Sequence, residues 1–302
     1  MFEKRLLIVG GKGGVGRSTI SAALGIAAAR RGLSTIVAEV AGQSDVAAVL
    51  GVEPAERLRE VELEPNLHHI TIERRAALQE YLREEVPGVL PAAILSRSNL
   101  FELFVEATPG MRELLTIGKV WELTQRPRHT RGARPYDLVV LDAPASGQLI
   151  ALLGAPRTFS SIARVGPVAH QGSEIDRMLK DPGYVGLIAV TTAEQMAVTE
   201  ALSLDGLLTD RFNRRLDAVV VNRMVPARFS GSEASALASA ADDPAVRSAQ
   251  WLYGRVRAQQ AQLARLRRGL GSVRRTTLPY LFTSQLARAD IERMADRLAR
   301  SL

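Results

Sequence analysis

The chain has 302 residues, of which 46% are apolar and 24% charged, and it lacks cysteine. These proportions exclude a disordered, collagen-like or repetitive chain, and the missing thiols exclude disulfide, thiolate-metal and cysteine-nucleophile chemistry. The net charge of +7 comes from arginine, since Lys4, Lys12, Lys119 and Lys180 are the only lysines; it permits an acidic partner without requiring one.

The chain opens on a consecutive apolar run, Arg5–Val9, of the kind found in strands buried on both faces. A glycine-rich turn over Gly10–Gly16 leads into an alanine-rich helix, Ser18–Arg31, that Gly32 stops. Further strands are predicted at Thr35–Val40, His69–Glu73, Asp137–Leu141, Tyr184–Thr191, Leu216–Asn222 and Val273–Leu278, the last ended by Pro279. Helices are predicted at Ala193–Arg211, Ala245–Arg268 and Ser284–Leu302. Arg74–Gln125 is helical in pattern, with stops at Pro87, Pro91 and Thr108-Pro109-Gly110. A second helical excursion covers Pro156–Lys180. Gln125–Pro135 reads as a loop, and Gly231–Asp243 as a mobile one. Alternation of this kind implies an α/β fold, a mostly parallel sheet with helices on both faces. We expect one domain over residues 1–302, with a discontinuous core of about 1–73 and 136–302 and a helical insertion over about 74–135. The apolar runs Leu138–Leu141 and Val185–Val190 have strand length, far short of the roughly 20 residues of a spanning helix, so the expectation is a soluble, cytoplasmic protein.

The segment Gly11-Lys12-Gly13-Gly14-Val15-Gly16-Arg17-Ser18-Thr19 follows a buried strand and opens a helix. That context makes it a phosphate-binding loop of a P-loop NTPase: glycines turn backbone N–H groups inward and the helix N-terminus adds its positive end. Ser18 stands where a hydroxyl ligates Mg²⁺, and Thr19 where one bonds the α-phosphate. Asp142 closes an apolar strand, the place of a carboxylate that reaches Mg²⁺. The expected ligands are ATP and Mg²⁺, with Ser18 and Asp142 at the metal.

The loop resembles the deviant Walker A class, K-G-G-x-G-K-[ST], in which the early lysine, here Lys12, reaches the nucleotide of the other subunit. Three further segments carry a wider resemblance: Leu141-Asp142-Ala143-Pro144-Ala145-Ser146-Gly147-Gln148, Thr108-Pro109-Gly110-Met111-Arg112-Glu113-Leu114-Leu115, and Val219-Val220-Val221-Asn222-Arg223. Together they are similar to the ArsA family of ATPases, which includes the ATPase that targets tail-anchored membrane proteins. The resemblance implies a dimeric, nucleotide-driven conformational switch. It assigns Asp142 to switch II and Asn222 to the adenine, and Asn222 and Pro279 complete the expected nucleotide-binding set of Gly11, Lys12, Gly13, Gly14, Val15, Gly16, Arg17, Ser18 and Thr19. It makes Lys12, Arg17 and Asp142 the catalytic candidates. The partner is a second copy or a paired ArsA-like subunit, and a protein client on the helical insertion is a further expectation.

Two departures weaken the expected catalysis. Arg17 stands in place of the loop's usual lysine, a planar fork for a compact ammonium. Ala41 and Gly42 occupy the switch I positions where the family has an aspartate and a proline, leaving Glu39 and Asp45 as the nearest carboxylates. Each is either a displaced substitute or a packing and capping residue, and support of Mg²⁺ or of the loop is a further reading of Glu39. Hydrolysis is therefore expected to be weak, and the alternatives are a non-hydrolysing regulatory or scaffold subunit of a heterodimer and a ParA/MinD-type positioning ATPase. The arginines of Trp251–Leu270 favour a solvated helix face over a nucleic-acid interface, and His68, His69, His129 and His170 have no metal-ligand spacing.

Overall fold

The computed structural model describes residues 1–42, 45–53, 58–85, 110–130, 132–163, 167–240 and 243–302. Eight strands form one sheet in the order β3-β4-β2-β5-β1-β6-β7-β8. They are β1 (Leu6–Gly11), β2 (Thr35–Val40), β3 (Val61–Glu64), β4 (Leu67–Ile72), β5 (Leu138–Asp142), β6 (Val185–Thr192), β7 (Ala218–Met224) and β8 (Arg274–Pro279). Every pairing is parallel except that of β3 with β4. The α/β class and the mostly parallel sheet are as the sequence predicts.

The helices are α1 (Arg17–Ala29), α2 (Val46–Leu50), α3 (Arg74–Glu85), α4 (Met111–Thr124), α5 (Ser146–Ala163), α6 (Pro167–Lys180), α7 (Gln195–Phe212), α8 (Gly231–Ala238), α9 (Pro244–Leu270) and α10 (Arg288–Ser301). Alternation along the central strands divides the core between two faces. Leu7 and Val9 of β1 pack with Ile20 and Leu24 of α1 and Ile291 and Leu298 of α10. Leu6 and Ile8 pack on the other face, with Ile117 of α4, Leu149 of α5 and Leu204 of α7. The sheet is thereby covered on both sides, which is why its strands read as continuous apolar runs rather than alternating ones.

Three expectations need correction. Gly231–Asp243 is not all loop, because α8 occupies Gly231–Ala238. Ser230 and Glu233 form a capping box there: the Ser230 hydroxyl accepts from the Glu233 N–H and the Glu233 carboxylate accepts from the Ser230 N–H. The second helical excursion begins at Ser146, ten residues before Pro156, which α5 accommodates in its interior. Strand β3 was not expected at all. Residues 86–109 of the helical pattern predicted over Arg74–Gln125, with its stops at Pro87 and Pro91, lie outside the described residues. Among the described residues no helix is long and apolar enough to cross a membrane.

Candidate nucleotide site

Strand β1 delivers the glycine loop to the carboxyl edge of the sheet. Gly11 has φ +146°, and a Cβ there would overlap the Val190 carbonyl oxygen of the neighbouring β6. Gly14 and Gly16 also hold positive φ, at +80° and +96°, a region closed to most side chains. Gly13 and Gly14 are exposed and have nothing within 4 Å of where a Cβ would stand. The loop is therefore unobstructed at these two glycines. Helix α1 begins at Arg17 behind an N-cap glycine, with no side-chain cap and no acidic residue in its first turn. Its first amides are left for an anion, and the helix dipole favours one.

The side chains of the loop end turn toward β5. The Arg17 guanidinium donates to the Ala143 carbonyl. The Ser18 hydroxyl donates to Asp142 Oδ2 at 2.7 Å, and the Ser21 hydroxyl to Oδ1 at 3.1 Å. Pairing of Val9 and Glu39 with Asp142 holds the aspartate at the strand end, where it is 1% exposed. Burial pushes its carboxyl up to about 6; the bonds from Ser18 and Ser21 and the charge of Arg17 work against that shift, and the charge of Glu39 works with it. The donor set suits Mg²⁺, a hard cation that takes one or two protein oxygens and keeps waters and phosphate oxygens for the rest. Among the described residues no cluster of three or more His, Asp or Glu offers a richer cage.

Glu39 is bound up elsewhere. Its carboxylate accepts from the N–H groups of Val46 (2.7 Å) and Ala47 (3.4 Å) and from the Thr71 hydroxyl (2.9 Å), and it lies 3.2 Å from His69 Nε2. Burial alone would raise its pKa, but His69, Thr71 and the Val46 amide hold it below the ordinary value. It caps the start of α2. Asp45 is different: it is exposed, and its backbone N–H lies 3.4 Å from Ser18 Oγ. Of these two residues, Asp45 is the one whose backbone lies beside Ser18.

Lys12 is half-buried, with Nζ 4.0 Å from Sδ of Met196, a residue 71% exposed on the rim formed by α7. Thr19, Asn222 and Pro279 meet in one cavity of about 240 Å³ beside the loop, with Arg223, Tyr280 and Met294 also in its wall. Asn222 does more than line it. Its Nδ2 donates to the Val15 carbonyl at 2.9 Å, and its Oδ1 accepts from the Arg223 N–H. The side chain thus ties β7 to the loop at the cavity's mouth. Tyr280 was missed by the sequence reading. It packs edge-on against Phe282 with ring centroids 5.0 Å apart, and both rings are exposed. The signal was available: two aromatics directly after a strand end, in a chain with only 5% aromatic residues.

The sequence relationships agree with this geometry. ATPase BagA of Mycobacterium tuberculosis is 29% identical over 242 residues, covering 79% of this chain and 69% of that protein. The uncharacterized protein SCO2128 of Streptomyces coelicolor is 29% identical over 175 residues, covering 56% of this chain and 42% of that protein. The family model of the anion-transporting ATPases matches residues 4–166, more than half the chain and the part that holds the loop, β2, β5 and α5. The chain therefore belongs to the ArsA family of anion-transporting ATPases.

Proposed function

We propose that the protein is a Mg–ATP-dependent conformational switch that closes as a dimer over its nucleotide and hydrolyses it slowly. The observation that carries this reading is the pair of bonds from Arg17 to the Ala143 carbonyl and from Ser18 to Asp142. The Arg17 and Ser18 side chains are thus engaged by the last residue of β5 and the one that follows it. A phosphate in the loop competes for the Arg17 guanidinium, and a cation at Ser18 competes for Asp142, so occupancy is felt at once by β5 and the start of α5. The N–H groups of the glycine loop and of the first turn of α1 hold the phosphates. Ser18 and Asp142 hold Mg²⁺, which when bound neutralises charge on the terminal phosphates. The cavity beside Thr19, Asn222 and Pro279 receives the nucleoside.

Lys12 stands on the open rim, which suits a role in the second subunit's site. ATP should then convert the chain to a dimer, and Lys12→Ala should not respond. Light scattering that gives one unchanged monomer mass with and without Mg–ATP would remove the dimer from the proposal.

Slow turnover follows from what surrounds the loop. Arg17 is a poor replacement for a compact ammonium, Ala41 carries no carboxylate, and Glu39 is spent on α2. Loss of a positioned catalytic group costs about 10²-fold or more. The wild-type chain should bind Mg–ATP and hydrolyse it far below the ~10 s⁻¹ of a median enzyme, while Arg17→Lys with Ala41→Asp should raise the rate. A brisk wild-type rate abolished by Asp45→Asn would instead make Asp45 the water-orienting group. The second reading, a non-hydrolysing subunit paired with an active relative, is favoured by the capping role of Glu39. It predicts no turnover for the pure chain and stimulation only in the mixed dimer.

A further inference from the structure

Helix α9 and strand β8, residues 244–279, carry eight arginines and no acidic residue, whereas the other 266 residues hold 31 basic side chains against 32 acidic ones. The net positive charge of the chain therefore sits on one helix and the edge strand that follows it. From the sequence these arginines read as an ordinary solvated face. Helix α10 shows what such a face is in this chain: its arginines alternate with Asp290, Glu292 and Asp296, and Arg288 and Arg293 pair with Glu292 and Asp290. Helix α9 is built otherwise. Among the described residues the guanidinium groups of Arg257, Arg267 and Arg268 have no partner. Those of Arg265, Arg274 and Arg275 donate to backbone carbonyls, and Arg255 lies 3.6 Å from the Glu194 carboxylate.

Val256, Gln259, Leu263, Leu266 and Leu270 form the buried face of α9. At about 100° per residue, Arg257, Arg265 and Arg268 lie on the opposite side, spread over a rise of about 16 Å. Gly254, Ala258 and Ala261 share that side and are small and exposed. Arginines spaced along a straight element do not converge on a point, so they suit an extended polyanion and not a small one. Polyanions differ in what else they require. An anionic lipid surface takes a helix through an apolar wedge beside its cations, and glycine and alanine supply none. A single nucleic-acid strand takes aromatic platforms interleaved with the cations. Trp251 is the one large exposed hydrophobic side chain of α9, and the Arg255 guanidinium stands over its ring at 5.6 Å. The backbone of a DNA duplex, with one charge per ~1.7 Å of axis, requires cations along a rigid element and little more. We infer that α9, with the start of β8, is a sequence-independent docking surface for double-stranded DNA. The surface is distinct from the proposed nucleotide site and does not rest on that reading.

Fluorescence anisotropy of a labelled, random-sequence DNA duplex titrated with the full chain, with and without Mg–ATP, tests the surface. Expected is micromolar binding at about 50 mM salt that weakens about 10²-fold by about 200 mM, the dependence for about four phosphate contacts. Arg257→Gln, Arg267→Gln and Arg268→Gln combined remove three charges and take no partner from any described residue. That triple variant should weaken binding at low salt about tenfold or more and flatten the salt dependence. A second triple variant with the same loss of charge on α5, α6 and α10, Arg157→Gln, Arg177→Gln and Arg300→Gln, should bind as the wild type does. No binding in either nucleotide condition, an affinity indifferent to salt, or equal loss in both triple variants overturns the inference. So does tighter binding to a single strand of the same length, or to phosphatidylserine vesicles, than to the duplex.

Discussion

Gly16→Val is expected to abolish nucleotide binding while the sheet stays folded. The residue has φ +96°, so any side chain there is strained before it meets a neighbour. A Cβ at this position would also lie 2.5 Å from Nδ2 of Asn222. That atom is not idle: it holds the Val15 carbonyl at 2.9 Å. A branched side chain must therefore displace the asparagine, release Val15 and open the loop, and it does so at the N-cap of α1, where the first amides must face the phosphate. Loop, cavity mouth and helix start fail together. Calorimetry with Mg–ATP should give no measurable heat of binding, and circular dichroism should retain the wild-type helix content. Equal affinity in the variant would show that the nucleotide sits elsewhere. Asn222→Ala is the graded companion, removing the tether without the clash, and should weaken binding without abolishing it.

The parts of this site legible in the sequence are those made by neighbours along the chain. Gly11 to Thr19 lie in one loop, so spacing alone places their backbone amides and hydroxyls. The strands β1, β5, β6 and β7 are legible because burial on both faces leaves runs of apolar residues with nothing else to do. Strand β3 is not, since Val61-Glu62-Leu63-Glu64 is four residues long, pairs antiparallel at an edge, and shifts register between Glu62 and Glu64. Helix α8 was readable in principle from Ser230 and Glu233 at capping-box spacing, but its Ser/Ala/Gly composition argued for a loop.

The role of Glu39 shows what spacing cannot supply. From the sequence it was a displaced catalytic carboxylate, a support of Mg²⁺ or of the loop, or a packing and capping residue. The choice depended on Thr71 and His69 of β4 lying alongside β2, which is a fact about strand order and not about local pattern.

The largest expected effect on stability comes from Arg128→Met. Arg128 is 1% exposed at its side chain and is held by two carboxylates. Its Nε and Nη2 donate to Glu122 Oε1 and Oε2, both at 2.8 Å, and its Nη2 donates to Glu60 Oε1 at 2.6 Å. Lys119 joins Glu122 at 3.0 Å and Glu80 at 2.7 Å, and the Tyr136 hydroxyl donates to Glu60 at 2.7 Å. The cluster fixes the segment after α4 against the sheet. Removing the arginine leaves two carboxylates in a buried place, a change that costs about 3–5 kcal/mol. The acid dependence identifies the cause. Burial alone would raise the Glu122 pKa, but Arg128 and Lys119 outweigh it and hold the group at about 2 against an ordinary 4.5. A depressed carboxylate contributes stability that is complete above the unfolded pKa and is lost as the pH falls through the folded one. The wild-type chain should therefore lose on the order of 3 kcal/mol from this group between pH 4.5 and 2. Arg128→Met should begin lower at neutral pH and fall less steeply in that window, because its Glu122 has lost most of the depression. Urea denaturation at pH 7, 4.5 and 3 reads both quantities. Adding Glu122→Gln to Arg128→Met should recover part of the loss, since the stranded charge is then gone and Lys119 keeps Glu80. A double variant no more stable than the single one would mean that Arg128 acts by packing on Tyr136, whose ring lies 5.7 Å from the guanidinium, and not by charge.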